Sequence, residues 1–372
     1  MIENYFKTAP ISFTIIFLSA FFFNTNAQTV KVSSNPNAWD TMGVTPVQET
    51  YKGKECLLIK SGAIIVKGAN LRDGIIEADI CFPKQRSFPG FAVRMQDLKD
   101  FENFYLRPHQ SGNPDAAQYI PIFNGMDAWQ LYYGEGYSGK FNYKFDEWQH
   151  IKINVHGLKA EFYIDDTPVI KVKELLRPWQ AGKIVVISGG APLRIANMQY
   201  TIEEGAPPTP MPTPANGTGG LITQWKVSNA VDRSLFEKQY QLTPAIKKKL
   251  SWTIQRSEPS GTINLARFGS WSDTTNTIVA KLIIESASEQ VKGLSFGFSD
   301  FVTVYLNGKA IYNGADNFMS RDYRFLGTIG FFDKLFLPLK KGSNELWFVV
   351  SENFGGWGVK AKFENMDKIS LR

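Results

Sequence analysis

The chain has 372 residues and a mass of 41.9 kDa, with 43% of residues apolar and 20% charged. That apolar share excludes global disorder, and the length allows about two or three domains of ordinary size. Lys+Arg 41 against Asp+Glu 35 leaves +6, with a single run of three basic residues at Lys247–Lys249. The dense basic stripe of a nucleic-acid binder is missing. Aromatic residues make up 14%, and 31 Gly with 19 Pro point to short strands joined by tight turns.

In chain order, the first element is an address. Ile11 to Phe23 is a run of 13 mostly apolar residues preceded by Lys7 and followed by Asn24-Thr25-Asn26-Ala27. A membrane span needs about 20 apolar residues, so the run reads as a secretory signal peptide, residues 1–27, with cleavage after Ala27. The expected destination is export to the periplasm, the cell surface or the medium, with no membrane span in the mature chain. An oxidising destination permits disulfides. Cys56 and Cys81, each in a strand-like run, could pair across neighbouring strands or remain buried thiols. The three histidines, His109, His150 and His156, are badly spaced for a zinc cage.

Residues 28–203 read as a succession of strands. Ile75 to Phe82 alternates, with Ile76, Ala78, Ile80 and Phe82 on one face and Glu77, Asp79 and Cys81 on the other. Further strands are expected over Phe88–Gln96, Phe101–Arg107, Gln118–Phe123, Trp129–Tyr133, Trp148–His156, Leu158–Ile164, Pro168–Val172, Lys183–Ser188 and Leu193–Ile202. About a dozen strands must bury an apolar face on something, so the fold class is all-β and the architecture a two-sheet sandwich.

Composition changes abruptly over residues 204–220, where Gly205 to Gly220 holds five prolines in 16 residues and ends in glycines. Prolines favour extended polyproline II and glycines add a flexible joint, so this stretch reads as an interdomain linker. Residues 28–203 carry 20 basic and 19 acidic groups, whereas 204–372 carry 20 and 15. Residues 221–372 are again β-rich, with strands expected at Thr277–Glu285, Gly293–Phe298, Phe301–Leu306, Lys309–Tyr312, Leu335–Leu339, Asn344–Ser351 and Val359–Phe363. Asn307-Gly308 is a hairpin signal because it fills both positive-φ sites of a type I′ turn. A short helix is expected within Asp232–Lys249. The second domain reads as a jelly roll.

Two resemblances follow. Gly74-Ile75-Ile76-Glu77-Ala78-Asp79-Ile80 and Pro89-Gly90-Phe91-Ala92-Val93-Arg94 resemble consecutive strands of the concanavalin A-like lectin/glucanase superfamily. Phe104-Tyr105-Leu106-Arg107-Pro108 and Glu147-Trp148-Gln149-His150-Ile151-Lys152 resemble elements of its laminin-G-like members, and similar sandwiches include the 3-keto-disaccharide hydrolase family. Val304 to Lys309 and Leu339 to Leu346 resemble the galactose-binding-like jelly rolls appended to glycosidases. The resemblance implies sugar association without deciding catalysis.

Glycoside hydrolysis needs two carboxyl groups flanking the bond. The glucanase pattern places three on one strand face, and here Glu77-Ala78-Asp79 lacks the third, so no catalytic residue is assigned. Gly-x-Ser-x-Gly, phosphate-loop and dinucleotide motifs are absent, and no cofactor is expected. Asp115, Asp127, Asp316 and Asp322 lie in expected loops and could supply oxygen ligands to a structural calcium ion, although without the dense spacing of a dedicated loop; no metal ligand is assigned.

Sugars are recognised by aromatic rings stacked on C–H faces and by planar polar groups bonding hydroxyls. Arg94, Tyr105, Arg107, His109, Trp129 and Tyr132 combine rings with fork-shaped donors and are the expected ligand-binding set. Trp357, in Phe354-Gly355-Gly356-Trp357-Gly358, is either a second contact or core. The expected function is non-catalytic binding of a glycan or polysaccharide by the first sandwich. The alternatives are a glycoside hydrolase or related sugar-cleaving enzyme of the 3-keto-disaccharide hydrolase type, and a protein–protein or adhesion module.

Overall fold

The computed structural model describes residues 28–320 and 326–372, so the expected signal peptide lies outside the described residues. The fold is all-β, in antiparallel sheets. An eight-stranded sheet runs Thr167–Val172, Lys159–Ile164, Gln149–His156, Asp73–Cys81, Leu193–Glu203, Lys54–Ile59, Val47–Tyr51, with Gln28–Lys31 added against Leu193–Glu203. A seven-stranded sheet faces it, in the order Ser138–Gly139, Ala117–Ile122, Asp100–Leu106, Gly90–Asp97, Lys183–Ile187, Ala63–Val66, Trp39–Met42. Alternation sends Ile76, Ala78, Ile80, Phe91, Val93, Phe104 and Tyr119 into the layer between them.

The second sandwich pairs a seven-stranded sheet with a four-stranded one. The larger holds Thr277–Ser286, Gly342–Ser351 and Phe301–Leu306 at its centre, and the smaller holds Ile263–Asn264, Gly358–Phe363, Gln290–Ser299 and Asp333–Leu339. Trp225, Phe296, Phe298, Phe348 and Trp357 fill the space between them. The Asn307-Gly308 turn has φ of 50° and 81°, the pair of positive values that type I′ requires, and Leu306 pairs with Lys309 across it. Asp165-Asp166, at 47° and 59°, closes a second two-residue hairpin.

Several expectations change. Trp129–Tyr133 forms turns instead of a strand, and its side chains cover the outer face of the seven-stranded sheet beside Tyr105, Ile120 and Ile122. Aromatic content favours a strand there, but burial against a second sandwich decides the backbone. The short helix expected within Asp232–Lys249 is present at Pro244–Lys248, capped by Thr243, with a 3-10 turn at Arg233–Phe236. Cys56 and Cys81 are buried free thiols. The strand Leu193–Glu203 lies between theirs, which separates them by two strand spacings of about 4.8 Å, beyond the roughly 4.4–6.8 Å that a disulfide spans between Cα atoms. Burial pushes the Cys81 thiol up to about 11, so it is unreactive.

The linker is tied down along its length instead of forming a free joint. Met211 N donates to Glu174 Oε1 (2.9 Å), Thr213 Oγ1 to Ser257 O (3.3 Å), and Thr223 N to Asn216 Oδ1 (3.0 Å). Among the described residues, no helix is long and apolar enough to cross a membrane.

The Gly308 site has open space around a Cβ, so only backbone strain opposes a side chain there. Gly308→Ala is expected to destabilise the protein by about 1 kcal/mol, read as a lower urea midpoint at unchanged slope.

Candidate functional site

The two sandwiches meet through buried polar groups. Tyr132 OH donates to Glu258 Oε1 (2.6 Å) and accepts from Asn264 Nδ2 (3.1 Å), while Arg267 Nη2 pairs with the same Glu258 oxygen at 3.0 Å. Gln130 adds four contacts: its N–H to Gly355 O, its Nε2 to Leu326 O, its carbonyl from Ile329 N and its Oε1 from Ser299 Oγ, each at 2.9 Å. Asn124 Nδ2 donates to Ala266 O at 2.6 Å. Close approach depends on Gly356, where a Cβ would lie 3.0 Å from Ala128 Cα and 3.1 Å from Leu131 Cγ.

Beside this junction opens a cleft of about 700 Å³, walled by both sandwiches and by the linker. Its apolar lining includes Phe123, Leu176, Trp179, Phe268, Pro208 and Met211, and its polar lining is Glu174, Arg177, Glu258 and Arg267 among others. The Arg177 and Arg267 guanidinium groups lie over the Phe123 ring, 4.5 and 4.2 Å from its centroid.

The wall carrying Arg177 and Trp179 is set from within the first sandwich. Glu102, fully buried, accepts from Tyr119 OH (2.7 Å) and Arg177 N (2.9 Å), and Tyr119 OH accepts from Leu176 N (3.1 Å). Trp179 Nε1 donates to Asp73, whose carboxylate also pairs with Arg94 Nη2 at 3.0 Å. Burial raises the Glu102 pKa, opposed by the Tyr119 hydrogen bond.

Three atoms in the cleft wall are buried without a protein hydrogen-bond partner: Glu258 Oε2, Glu174 Oε2 and Arg267 Nε. The Glu258 side chain is only 6% exposed, and burial raises its pKa against the opposing pull of Arg267 and Tyr132. The three unpartnered atoms lie beneath the cleft surface, which presents the side chains of Glu174, Arg177, Glu258 and Arg267 within an apolar surround. Such unmade hydrogen bonds cost about 1–3 kcal/mol each when nothing fills them.

The expected ligand set divides. Tyr105, Arg107, Trp129 and Tyr132 do come together on the outer face of the seven-stranded sheet, but mostly as structure. Tyr105 OH donates to Gln118 Oε1 (2.7 Å), and Gln118 Nε2 bonds the carbonyls of Trp129 and Tyr132. Arg107 forms a close, buried ion pair with Asp115 and lies 6.0 Å from the Trp129 ring. Trp129 packs edge-on against Phe318 (5.8 Å) and Phe354 (5.9 Å) of the second sandwich. His109 packs against Phe88 at 5.1 Å, and burial together with Arg107 and Arg86 lowers its pKa to about 4.

Arg94 and Trp357 lie elsewhere. A bulge in Gly90–Asp97, with Arg94 at φ 54°, turns Arg94 inward to Asp73, Arg72 O and Gly157 O, away from the sheet's outer face. Trp357 is fully buried in the second core and donates to Val350 O (3.0 Å). Glu77 and Asp79 share one face as expected, bridged by His150 at 3.6 and 2.9 Å, and Asp79 is further held by Lys54 at 2.6 Å. Asp115 is occupied by Arg107, and among the described residues no three His, Cys, Asp or Glu side chains gather as metal ligands. Asp322 lies outside the described residues.

Glu174, Arg177, Trp179, Glu258 and Arg267 went unnoticed in the sequence. They come from three separate irregular segments with no shared spacing, and only Arg177-Pro178-Trp179, a cation beside a ring, carries a local signal.

The chain is thus an all-β protein of two docked sandwiches with a cleft at their junction. No protein-family model matches it, and no curated protein sequence matches it. Solved structures that overlap it include the carbohydrate binding module CBM66 from Bacillus subtilis, at 19% identity over 45% of this chain and 98% of that one, TM-score 0.36. A Bacillus subtilis protein of unknown function with a galectin-like fold overlaps at 7% identity over 48% of this chain and 96% of that one, TM-score 0.35. A xylan β-1,4-xylosidase from Bacillus halodurans C-125 overlaps at 11% identity over 55% of this chain and 41% of that one, TM-score 0.34. At these scores none bears on what the chain binds.

The junction also carries a pH dependence. Asp300 and Glu352 are buried acids under the Asn353–Gly356 turn; Asp300 accepts from Asn353 N and Phe354 N, and Glu352 from Gly356 N. Burial raises both pKa values, Asp300 to about 6, and the Asp300 charge raises that of Glu352 further. An acid whose pKa rises on folding binds its proton more tightly when folded. Its contribution is fully present below its unfolded pKa of about 4 and is lost as pH rises through the folded value. The thermal midpoint is expected to fall as pH rises from about 4 past 6, and Glu352→Gln is expected to flatten that slope. Parallel slopes for the two proteins would count against this account.

Proposed function

We propose that this is an exported, non-catalytic carbohydrate-binding protein whose ligand occupies the cleft between two domains, residues 28–203 and 221–372, joined by the linker 204–220. The supporting observation is the make-up of the cleft lining, where the carboxyl groups of Glu174 and Glu258 and the guanidinium groups of Arg177 and Arg267 stand among Phe123, Trp179 and Phe268. A pure cation leaves the arginines unmet, and a pure anion meets the carboxylates with repulsion. Hydroxyl groups donate and accept at once. A sugar carries them on a C–H skeleton that packs against Phe123, Phe268, Trp179 and the linker prolines, and about 700 Å³ lies within the roughly 300–1,000 Å³ of ligand pockets.

Non-catalytic binding is favoured because both carboxyl groups serve as tethers. Glu258 holds Tyr132 and Arg267 across the junction, and Glu174 holds the linker at Met211 N. One observation favours glycoside hydrolysis instead: two carboxyl groups face a single cleft, as that reaction requires.

Isothermal titration of the purified protein with a panel of neutral and acidic oligosaccharides and polysaccharides, alongside a reducing-sugar assay, separates these readings. Binding without released reducing ends is expected. Glu258→Gln, which keeps the shape but exchanges one acceptor for a donor, is expected to weaken binding by about tenfold. Unchanged affinity in a folded Glu258→Gln protein would remove the cleft as the site, and released sugar would establish hydrolysis.

A further inference from the structure

The linker has two cavities against it, of which the cleft is one. The second is a groove of about 780 Å³ on the outer face of the eight-stranded sheet, between Gln149–His156, Lys159–Ile164, Thr167–Val172 and linker residues Thr209 to Pro212. Pro210 and Met211 line both cavities, so the groove and the cleft are separated by the thickness of one extended chain. Each cavity alone is the size of an ordinary ligand site of about 300–1,000 Å³, and together they are two such sites side by side.

The groove repeats the chemistry of the cleft. Its donors are Lys159, Lys171 and Lys173, and its polar lining also includes Glu161 and Asn154. Lys171 reaches Glu161 at 3.1 Å and Lys173 reaches Glu135 at 2.6 Å, so charge is largely balanced and no strongly acidic ligand is called for. The dividing ridge is suited to sugar as well. Pro208, Pro210 and Pro212 have no N–H, and the N–H of Met211 is taken by Glu174, so the ridge presents pyrrolidine rings, a thioether and carbonyl acceptors.

We infer that the cleft and the groove are successive subsites for one extended, neutral polysaccharide chain that crosses the linker ridge at Pro210-Met211. This rests on the reading of the cleft as a carbohydrate site. It names the ligand class, a polymer of several sugar units, and it gives the proline-rich segment a binding role beyond connection. A chain lying across both cavities gains from the second subsite without a second association cost, so affinity rises with length until the groove is filled.

The test is calorimetric titration of the full mature protein with cello-, xylo- and chito-oligosaccharides of increasing length, from the disaccharide to the polymer. Within the series that binds, affinity is expected to climb with chain length and then level off. The double substitution Asn154→Ala with Lys171→Ala, at the groove's surface, is expected to weaken binding by about tenfold for the longest chains, with a loss that grows with length. Affinity independent of length, or a loss equal at every length, would overturn the inference while leaving the cleft as a site for short sugars. Failure of every oligosaccharide and polymer to bind would overturn both readings together.

Discussion

The protein's architecture turns on one buried carboxyl group. Glu258 belongs to the second sandwich, yet its Oε1 is bonded by Tyr132 of the first and by Arg267 of its own. Taking a carboxylate out of water is costly, and the Coulomb attraction of one partner rarely offsets that alone. Here a guanidinium and a phenol share the task, and Asn264 completes the phenol's own bonding. Remove one member and a charge is left buried and unpaired, which is why such networks hold geometry more than they add stability. The two sandwiches have little freedom to rock while this network stands, and the cleft beside it keeps its shape.

The network requires that the backbones first come close. Two elements make that approach, the turns at Trp129–Tyr133 and the glycine-rich stretch Gly355 to Gly358. Leu131 packs where side chains at Gly356 and Gly358 would stand, and Trp129 lies against Phe354. Around that contact the second sandwich places Asp300 and Glu352, two acids whose burial makes the glycine turn sensitive to pH. Docking is therefore specified by shape and hydrogen bonding together, and the linker's hydrogen bonds to Glu174 and Ser257 reinforce it.

What the sequence disclosed was local. Alternation over Ile75 to Phe82 and the positive-φ pair Asn307-Gly308 mark a strand and a hairpin through short-range sterics, and the structure has them where that chemistry puts them. Misreadings arose where a distant contact overrode local preference. Trp129–Tyr133 is aromatic enough for a strand, but it is buried between the sheet at Tyr105, Ile120 and Ile122 and the glycine stretch of the second sandwich, more than two hundred residues away. Arg94 sits in a strand run whose bulge reverses its side chain, and a bulge leaves no mark in periodicity. The cysteines fail to pair because Leu193–Glu203 inserts between their strands, a fact of topology. The cleft was hidden for the same reason: Glu174 and Arg267 are brought together only by docking.

That origin has a consequence for how the cleft works. A ligand hydroxyl at Glu258 would bond the same carboxyl that holds Tyr132 and Arg267. Hydrogen bonds to a shared group are coupled, since each redistributes the charge that the others contact. A ligand bound there would stabilise the docked arrangement, and under the proposed function the two equilibria would be linked and reciprocal. The residue that joins the sandwiches is also the residue through which they would register a sugar.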